Sequence, residues 1–185
     1  MPESTRRDFL ANAALAGIGA IALPILSTTE ARAAASQEKK MTTTPEQRIA
    51  VVRDYLDHVL NGHDAAAVTD FFTADAEWHG GSLGTVKGAQ NIVGLMGALI
   101  GGLPDIQATT QDVIASGDLV AMRFVATGTQ TGDLLGIPKT GKSVKWDSVD
   151  IYRVTDEGKI STQWSFQDMA AIMSQLGAVK LPWAG

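Results

Sequence analysis

The sequence predicts an α+β domain, and three observations carry that prediction. Helix-period apolar stripes fill the chain from Thr44 to Ile100, whereas period-two alternation takes over from Ile106 to Phe166. Helices grouped ahead of strands, rather than alternating with them, point to α+β and away from α/β. A length of 185 residues, 45% of them hydrophobic, allows one domain with a buried core plus an appendage.

The appendage is N-terminal. Ser4-Thr5-Arg6-Arg7-Asp8-Phe9-Leu10 resembles a twin-arginine export signal, followed by a mild apolar stretch, Ala11 to Leu26, interrupted by Gly17, Gly19 and Pro24. Ala31-Arg32-Ala33 and Ala33-Ala34-Ala35 both offer small-residue cleavage sites. The alternative is a membrane anchor, but the stretch falls short of the ~20 residues a spanning helix needs and contains a proline. Residues 1 to 35 are therefore expected to be removed, with no stable membrane insertion afterwards. The expected partner at this stage is the twin-arginine translocation machinery, and the expected location periplasmic or secreted.

Cleavage would remove Arg6, Arg7 and Arg32 together with Glu3, Asp8 and Glu30, equal numbers of each sign, so the net charge stays at −5. Lys39-Lys40 is the only basic run left, so nucleic acid is not an expected partner. With no cysteine, disulfides and thiolate chemistry are excluded. His58, His63 and His79 show no ligand spacing, so no metal site is expected. No cofactor motif is present either.

Residues 36 to 44 are polar and aperiodic and read as a disordered lead-in to a domain spanning 45 to 180. Thr44-Pro45-Glu46-Gln47 combines a capping box with proline at the first helical position. The helix it starts carries Ile49, Val52, Leu56 and Val59 as its stripe, flanked by Tyr55 and Leu60, and ends at Asn61-Gly62. A short second helix after Asp64 buries Val68, Phe71 and Phe72, and Asp75 to His79 reads as a strand. Gly80-Gly81 and Gly84 make a flexible loop. Gly88 to Ile100 is a third helix, with Ile92, Leu95, Met96, Leu99 and Ile100 inward. Ile106 to Ala115 and Asp118 to Gln130 flank Ser116-Gly117 as a hairpin. The glycine-rich Thr131 to Lys142 reads as a long connection, lid-like, without phosphate-loop spacing.

The last stretch holds the chemistry. Val144 to Val154 is a strand whose alternation puts Trp146, Ser148, Asp150 and Tyr152 on one face and Lys145, Asp147, Val149, Ile151 and Arg153 on the other. Two aromatics sharing a face with a hydroxyl and a carboxylate fit a ligand-cavity lining; a solvated edge strand is the alternative. Lys159 to Phe166 is the partner strand, with Ile160, Thr162, Trp164 and Phe166 on one side and Ser161, Gln163 and Ser165 on the other. Asp168 and Gly177 then sit at the N-cap and C-cap of a final helix.

The run DIYRVTDEGKISTQWSFQD, closing with QLG, resembles the C-terminal signature of the SnoaL-like polyketide cyclases, or ester cyclases, of the nuclear transport factor 2-like superfamily. Asn61 to Asp64, the Ala-Glu-Trp-His run ending at His79, Pro104-Asp105 and Gly136-Ile137-Pro138-Lys139-Thr140-Gly141 extend the resemblance over residues 45 to 178. It implies a cone-shaped, curved antiparallel sheet wrapped by three to four helices, a cystatin-like α+β barrel with a hydrophobic cavity for a small ligand. It also implies a homodimer across the outer face of the sheet.

Family members that cyclise polyketides use a histidine and an aspartate for an aldol step, and the resemblance lays those positions on Asp150 and Ser165. Both are changed. Proton-transfer candidates are then Asp150, His79 and Asp168, although the cap role alone accounts for Asp168 and a strand-end loop bond accounts equally for His79. Tyr55, Trp78, Trp146, Tyr152, Trp164 and Ser165 are the candidates for substrate contact. Two functional readings remain: a cofactor-free cyclase, isomerase or lyase acting on a small hydrophobic carbonyl compound, or a non-catalytic binding protein that has lost the His/Asp pair.

Overall fold

A computed structural model describes residues 43–183, within the compact unit Met41–Gly185. The twin-arginine motif, both cleavage sites and most of the lead-in lie outside the described residues. Helix α1, Pro45–Tyr55, starts on the expected capping box: Thr44 Oγ1 accepts from the Gln47 N–H, and the Gln47 side chain accepts from the Thr44 N–H. The helix then continues into a wider π turn, Leu56–Asn61. Gly62 closes it by donating to the Asp57 carbonyl at 2.7 Å, and a Cβ there would stand 2.4 Å from the His58 carbonyl oxygen. The turn aims Asn61 at the sheet.

A single 3-10 turn, Ala65–Ala67, is capped by Asp64 and leads into α2, Val68–Phe71. Phe72, expected on that helix, opens strand β1, Phe72–His79. The loop expected after it contains a strand, β2, Thr85–Lys87, paired with Glu77 to His79. Helix α3 is Ala89–Gly102; β3 is Gln107–Ser116 and β4 Leu119–Thr129. Strands β5, Ser143–Val154, and β6, Ile160–Gln167, precede α4, Met169–Leu176. Each of the later elements lies within two residues of its expected place.

The six strands form one curved sheet in the order β2-β1-β6-β5-β4-β3. The sheet is mixed, and the expectation of a purely antiparallel one is corrected here: β1 runs parallel to β6. Parallel neighbours need a crossover, and 80 residues of helix and hairpin separate these two strands in the sequence. Val120, Met122, Phe124 and Ala126 of β4, with Trp146 and Tyr152 of β5, meet Val52, Tyr55, Val59, Ile92 and Met96 of the helices in one buried cluster. The inward face of β5 is buried at every position from Val144 to Val154, while its outward face is mostly exposed.

Two polar devices hold this cone in shape. Asn61 Oδ1 accepts from the Ala108 N–H at 2.7 Å and its Nδ2 donates to the Ala108 carbonyl at 3.1 Å, so one side chain closes part of the β3 edge. Arg48, buried on α1, reaches the β5–β6 turn, donating to the Val154 and Thr155 carbonyls and pairing with Asp156 at 2.8 Å. Its Nε also donates to the Thr43 carbonyl at 3.2 Å. Arg48→Met keeps the stem but leaves those carbonyls without their donor. We expect a loss of about 2–3 kcal/mol in urea unfolding, with an unchanged m-value.

Candidate functional site

The site is a ladder of inward-facing pairs between β5 and β6. Ser148 stands opposite Gln167, Asp150 opposite Ser165 and Tyr152 opposite Gln163. Strict alternation from Ile160 would have pointed Gln163 outward. A register shift between Arg153 and Val154 pairs Val154 with Ile160 and Arg153 with Thr162, leaving Ser161 as the extra residue of a bulge. Ile160, Gln163 and Ser165 are consequently all buried.

Asp150 is the hub. It is 2% exposed and accepts four hydrogen bonds: Oδ1 from Ser148 Oγ at 3.0 Å and Ser165 Oγ at 2.9 Å, Oδ2 from Gln163 Nε2 at 2.7 Å and Tyr152 Oη at 3.2 Å. Burial raises its pKa above the ordinary carboxylate value, and the four donors hold it down without cancelling that effect. The same burial, with the Asp150 charge beside them, pushes the Tyr152 and Tyr55 phenols up, so both stay protonated donors. Tyr55 Oη donates to Gln163 Oε1 at 3.4 Å and lies 3.6 Å from Met96 Sδ. Its ring meets Phe72 and Tyr152 edge-on.

Asp150 closes the inner end of a two-part cavity. The inner chamber, about 20 Å³, has room for roughly one water and is lined by Asp150, Ser165, Gln163, Tyr55 and Tyr152 among apolar groups. The outer chamber, about 120 Å³, is walled by apolar side chains including Leu95, Leu103, Leu134 and Ile172. Trp78, Met96, Leu99, Trp146 and Gln167 belong to both linings and form the neck between them.

The 131–142 loop roofs the outer chamber with Leu134 and Leu135. It is pinned from beneath by fully buried Gln130, whose Nε2 donates to the Ile137 carbonyl at 3.0 Å and whose Oε1 accepts from Thr140 Oγ1 at 2.6 Å. Gly132 lets the loop lie against the end of α3: a Cβ there would fall 2.2 Å from the Gly101 carbonyl oxygen. Gly132→Ala is expected to lift the roof, weakening retention of any ligand about tenfold. Circular dichroism should show the sheet intact.

The nine candidate residues therefore divide. Tyr55, Trp78, Trp146, Asp150, Tyr152 and Ser165 line the cavity together. His79, Trp164 and Asp168 do not. His79 is on the outer face of β1, 3.2 Å from Glu77 and 3.1 Å from Thr85 Oγ1, with its ring stacked on Trp164. The Arg153 guanidinium also lies over the Trp164 ring, 5.9 Å from its centroid. Asp168 is exposed and accepts from the Ala171 N–H at 2.9 Å, as an N-cap does. Gln163 and Gln167 complete the site without having been singled out from sequence, while Ser148, placed on the Asp150 face by plain alternation, joins it through its hydrogen bond to that carboxylate. Among the described residues no group of three His, Asp or Glu side chains is placed to hold a metal.

Comparison with known proteins agrees with this fold. The SnoaL-like polyketide cyclase family model matches residues 50–176. A candidate SnoaL-like polyketide cyclase from Jannaschia sp. CCS1 superposes with a TM-score of 0.68 at 23% identity, over 74% of this chain and 95% of its own. AclR, a candidate hydroxylase from Streptomyces galilaeus, gives 0.66 at 25% identity, over 75% and 89%. IdmH, a candidate polyketide cyclase from Streptomyces antibioticus, gives 0.61 at 27%, over 71% and 99%. No curated protein matches the chain. With the family signature spanning α1 to α4 and the cone-shaped fold shared by these structures, the chain belongs to the SnoaL-like polyketide cyclase family.

Proposed function

We propose that the protein is an exported, cofactor-free acid/base catalyst for a small hydrophobic carbonyl compound, with Asp150 taking a proton from the carbon beside the carbonyl. The observation that carries the reading is a buried carboxylate with a raised pKa, ringed by hydroxyl and amide donors, at the end of a cavity whose outer chamber is walled mainly by apolar side chains. The Ser165 position carries no carboxylate, but Asp150 faces it directly across the strands, so an acid remains at this level of the cone.

Four donors occupy all four lone-pair directions of Asp150, so a donor must turn away before the carboxylate accepts a proton. Ser148 is able to do so, because its Oγ also lies 3.3 Å from the Phe166 carbonyl. Ser165 Oγ accepts from Gln167 Nε2 at 3.3 Å and gives the Oδ1 side a second adjustable hydroxyl. The proton therefore enters on Oδ1. The electron pair of the broken C–H bond moves to the carbonyl oxygen, giving an enolate for ring closure, isomerisation or elimination.

The same saturation favours a second reading, a non-catalytic binding protein in which Asp150 only organises the cavity floor. Export by the twin-arginine route and a homodimer across the outer face belong to the proposal as well; Val149 and Phe166 are exposed on that face, by 41% and 57%. Native mass spectrometry of protein recovered from the periplasm, followed by identification of any released ligand, tests these points together. A retained neutral carbonyl compound and a dimer mass support the proposal. Polar or anionic contents, or a protein that never leaves the cytoplasm, count against it.

A further inference from the structure

The neck between the two chambers holds a hydrogen-bond donor with nothing to donate to. Trp146 is 4% exposed and its Nε1 is fully buried without an acceptor. Such a group bears the full cost of its lost hydration while it stays unpaired. Buried indole N–H groups ordinarily find a partner, and this one belongs to a wall that both chambers share. Beside it on the facing strand, Gln167 has a second amide N–H besides the one given to Ser165.

We propose that the neck is an oxygen-binding site, in which the Trp146 Nε1–H donates to the carbonyl oxygen of a neutral, otherwise apolar ligand. The inference rests on reading the cavity as a ligand site and adds the chemistry of what enters. An indole N–H only donates, so its partner must be an acceptor, which excludes an ammonium group and a plain hydrocarbon. The charged side chains in the two linings are Asp133 and Asp150, with no lysine, arginine or histidine. A carboxylate ligand would meet only like charge, which selects a ketone, ester or lactone over an acid. Met96, an unbranched and adaptable side chain in the same neck, is the wall that yields as the oxygen enters. Trp146 and Asp150 lie four residues apart on the inward face of β5 with Ser148 between them, so a ligand held by its oxygen at the indole has the Asp150 end of the cavity along the same strand face.

The test uses three probes on the full-length protein: acetophenone, α-methylstyrene, which has the same shape with =CH2 in place of the oxygen, and benzoate. Trp146→Phe removes the N–H and keeps an aromatic ring. The affinity of acetophenone relative to α-methylstyrene should fall at least fivefold in this variant, with α-methylstyrene itself unchanged within twofold. Benzoate should bind neither protein. In the ¹⁵N-labelled wild type, one indole resonance, the one missing from Trp146→Phe, should move downfield with acetophenone and stay in place with α-methylstyrene. Should the variant not fold, the Trp146 indole resonance is assigned in the wild type by through-bond and NOE spectra, and its response to the two probes decides alone. An unchanged affinity ratio, or an indole shift of equal size with both probes, overturns the donor assignment while leaving the cavity reading intact. Binding of neither neutral probe contradicts the cavity reading and the proposal with it.

Discussion

Asp150→Asn is expected to lower turnover of a carbonyl substrate by about 10²–10⁴-fold, the usual contribution of a positioned general base, and to leave a folded protein that still binds. Folding should survive because the network can be rewired. Ser148 and Ser165 still donate to Oδ1, and a flipped Gln163 accepts from the new amide while Tyr152 and Tyr55 turn their hydroxyls. Stability should rise rather than fall at neutral pH. Burial lifts the Asp150 pKa above its ordinary value of 3.8, so the folded protein holds a proton where the unfolded chain has released it. The stability contributed by this group is full below the unfolded value and is lost as pH rises through the folded one. Asparagine does not ionise, so the variant should gain on the wild type across that window and keep the gain above it. Thermal unfolding of both proteins from pH 4 upward checks the sign.

Gln163→Leu is expected to move the acid limb of the pH–rate profile to higher pH. Gln163 is the donor to Asp150 that cannot simply rotate away, and at 2.7 Å it is the shortest of the four. Losing a hydrogen bond to a charged group costs about 1.5–3 kcal/mol, all of it borne by the ionised form. On the acid side the rate should therefore fall at least about tenfold, with recovery toward the wild-type plateau as pH rises. The same change takes the oxygen acceptor from Tyr55, leaving only the Met96 sulfur, so a stability loss of about 1–2 kcal/mol should accompany it. A purely structural Gln163 would instead lower the rate equally at every pH.

How much of this was readable in advance follows from which residues obey a local rule. β5 was fully legible, because Trp146, Ser148, Asp150 and Tyr152 alternate with charged and exposed neighbours over an unbroken strand. β6 was legible only to its bulge: nothing in Lys159-Ile160-Ser161 announces the extra residue that turns Gln163 inward. The parallel pairing of β1 with β6 carries no local pattern at all, being a contact between segments on opposite sides of the helix and hairpin. One of the two candidates on the wrong strand face was avoidable. Trp78 and His79 are adjacent on one strand and Trp164 and Ser165 on another, so each pair can place only one member in the cavity. The imidazole's general use as an acid or base recommended His79 against its alternation with Trp78, whereas alternation from Ile160 itself recommended Trp164 until the bulge reversed the faces. Trp146 illustrates the opposite case: sequence named the side chain as a ligand contact, and only the three-dimensional packing revealed an indole donor lacking an acceptor.

The central claim, that Asp150 is a base inside a ligand cavity, is tested most directly by hydrogen–deuterium exchange at the carbon beside a bound ketone. Acetophenone in D₂O would be followed by ¹H NMR with wild type and with Asp150→Asn at equal, saturating occupancy. The account predicts that the wild type accelerates loss of the methyl signal at least a hundredfold over the Asn variant, which should exchange at the buffer rate. Two proteins that hold the ketone equally well and exchange it equally slowly would contradict the claim, leaving a binding protein with a carboxylate in its floor.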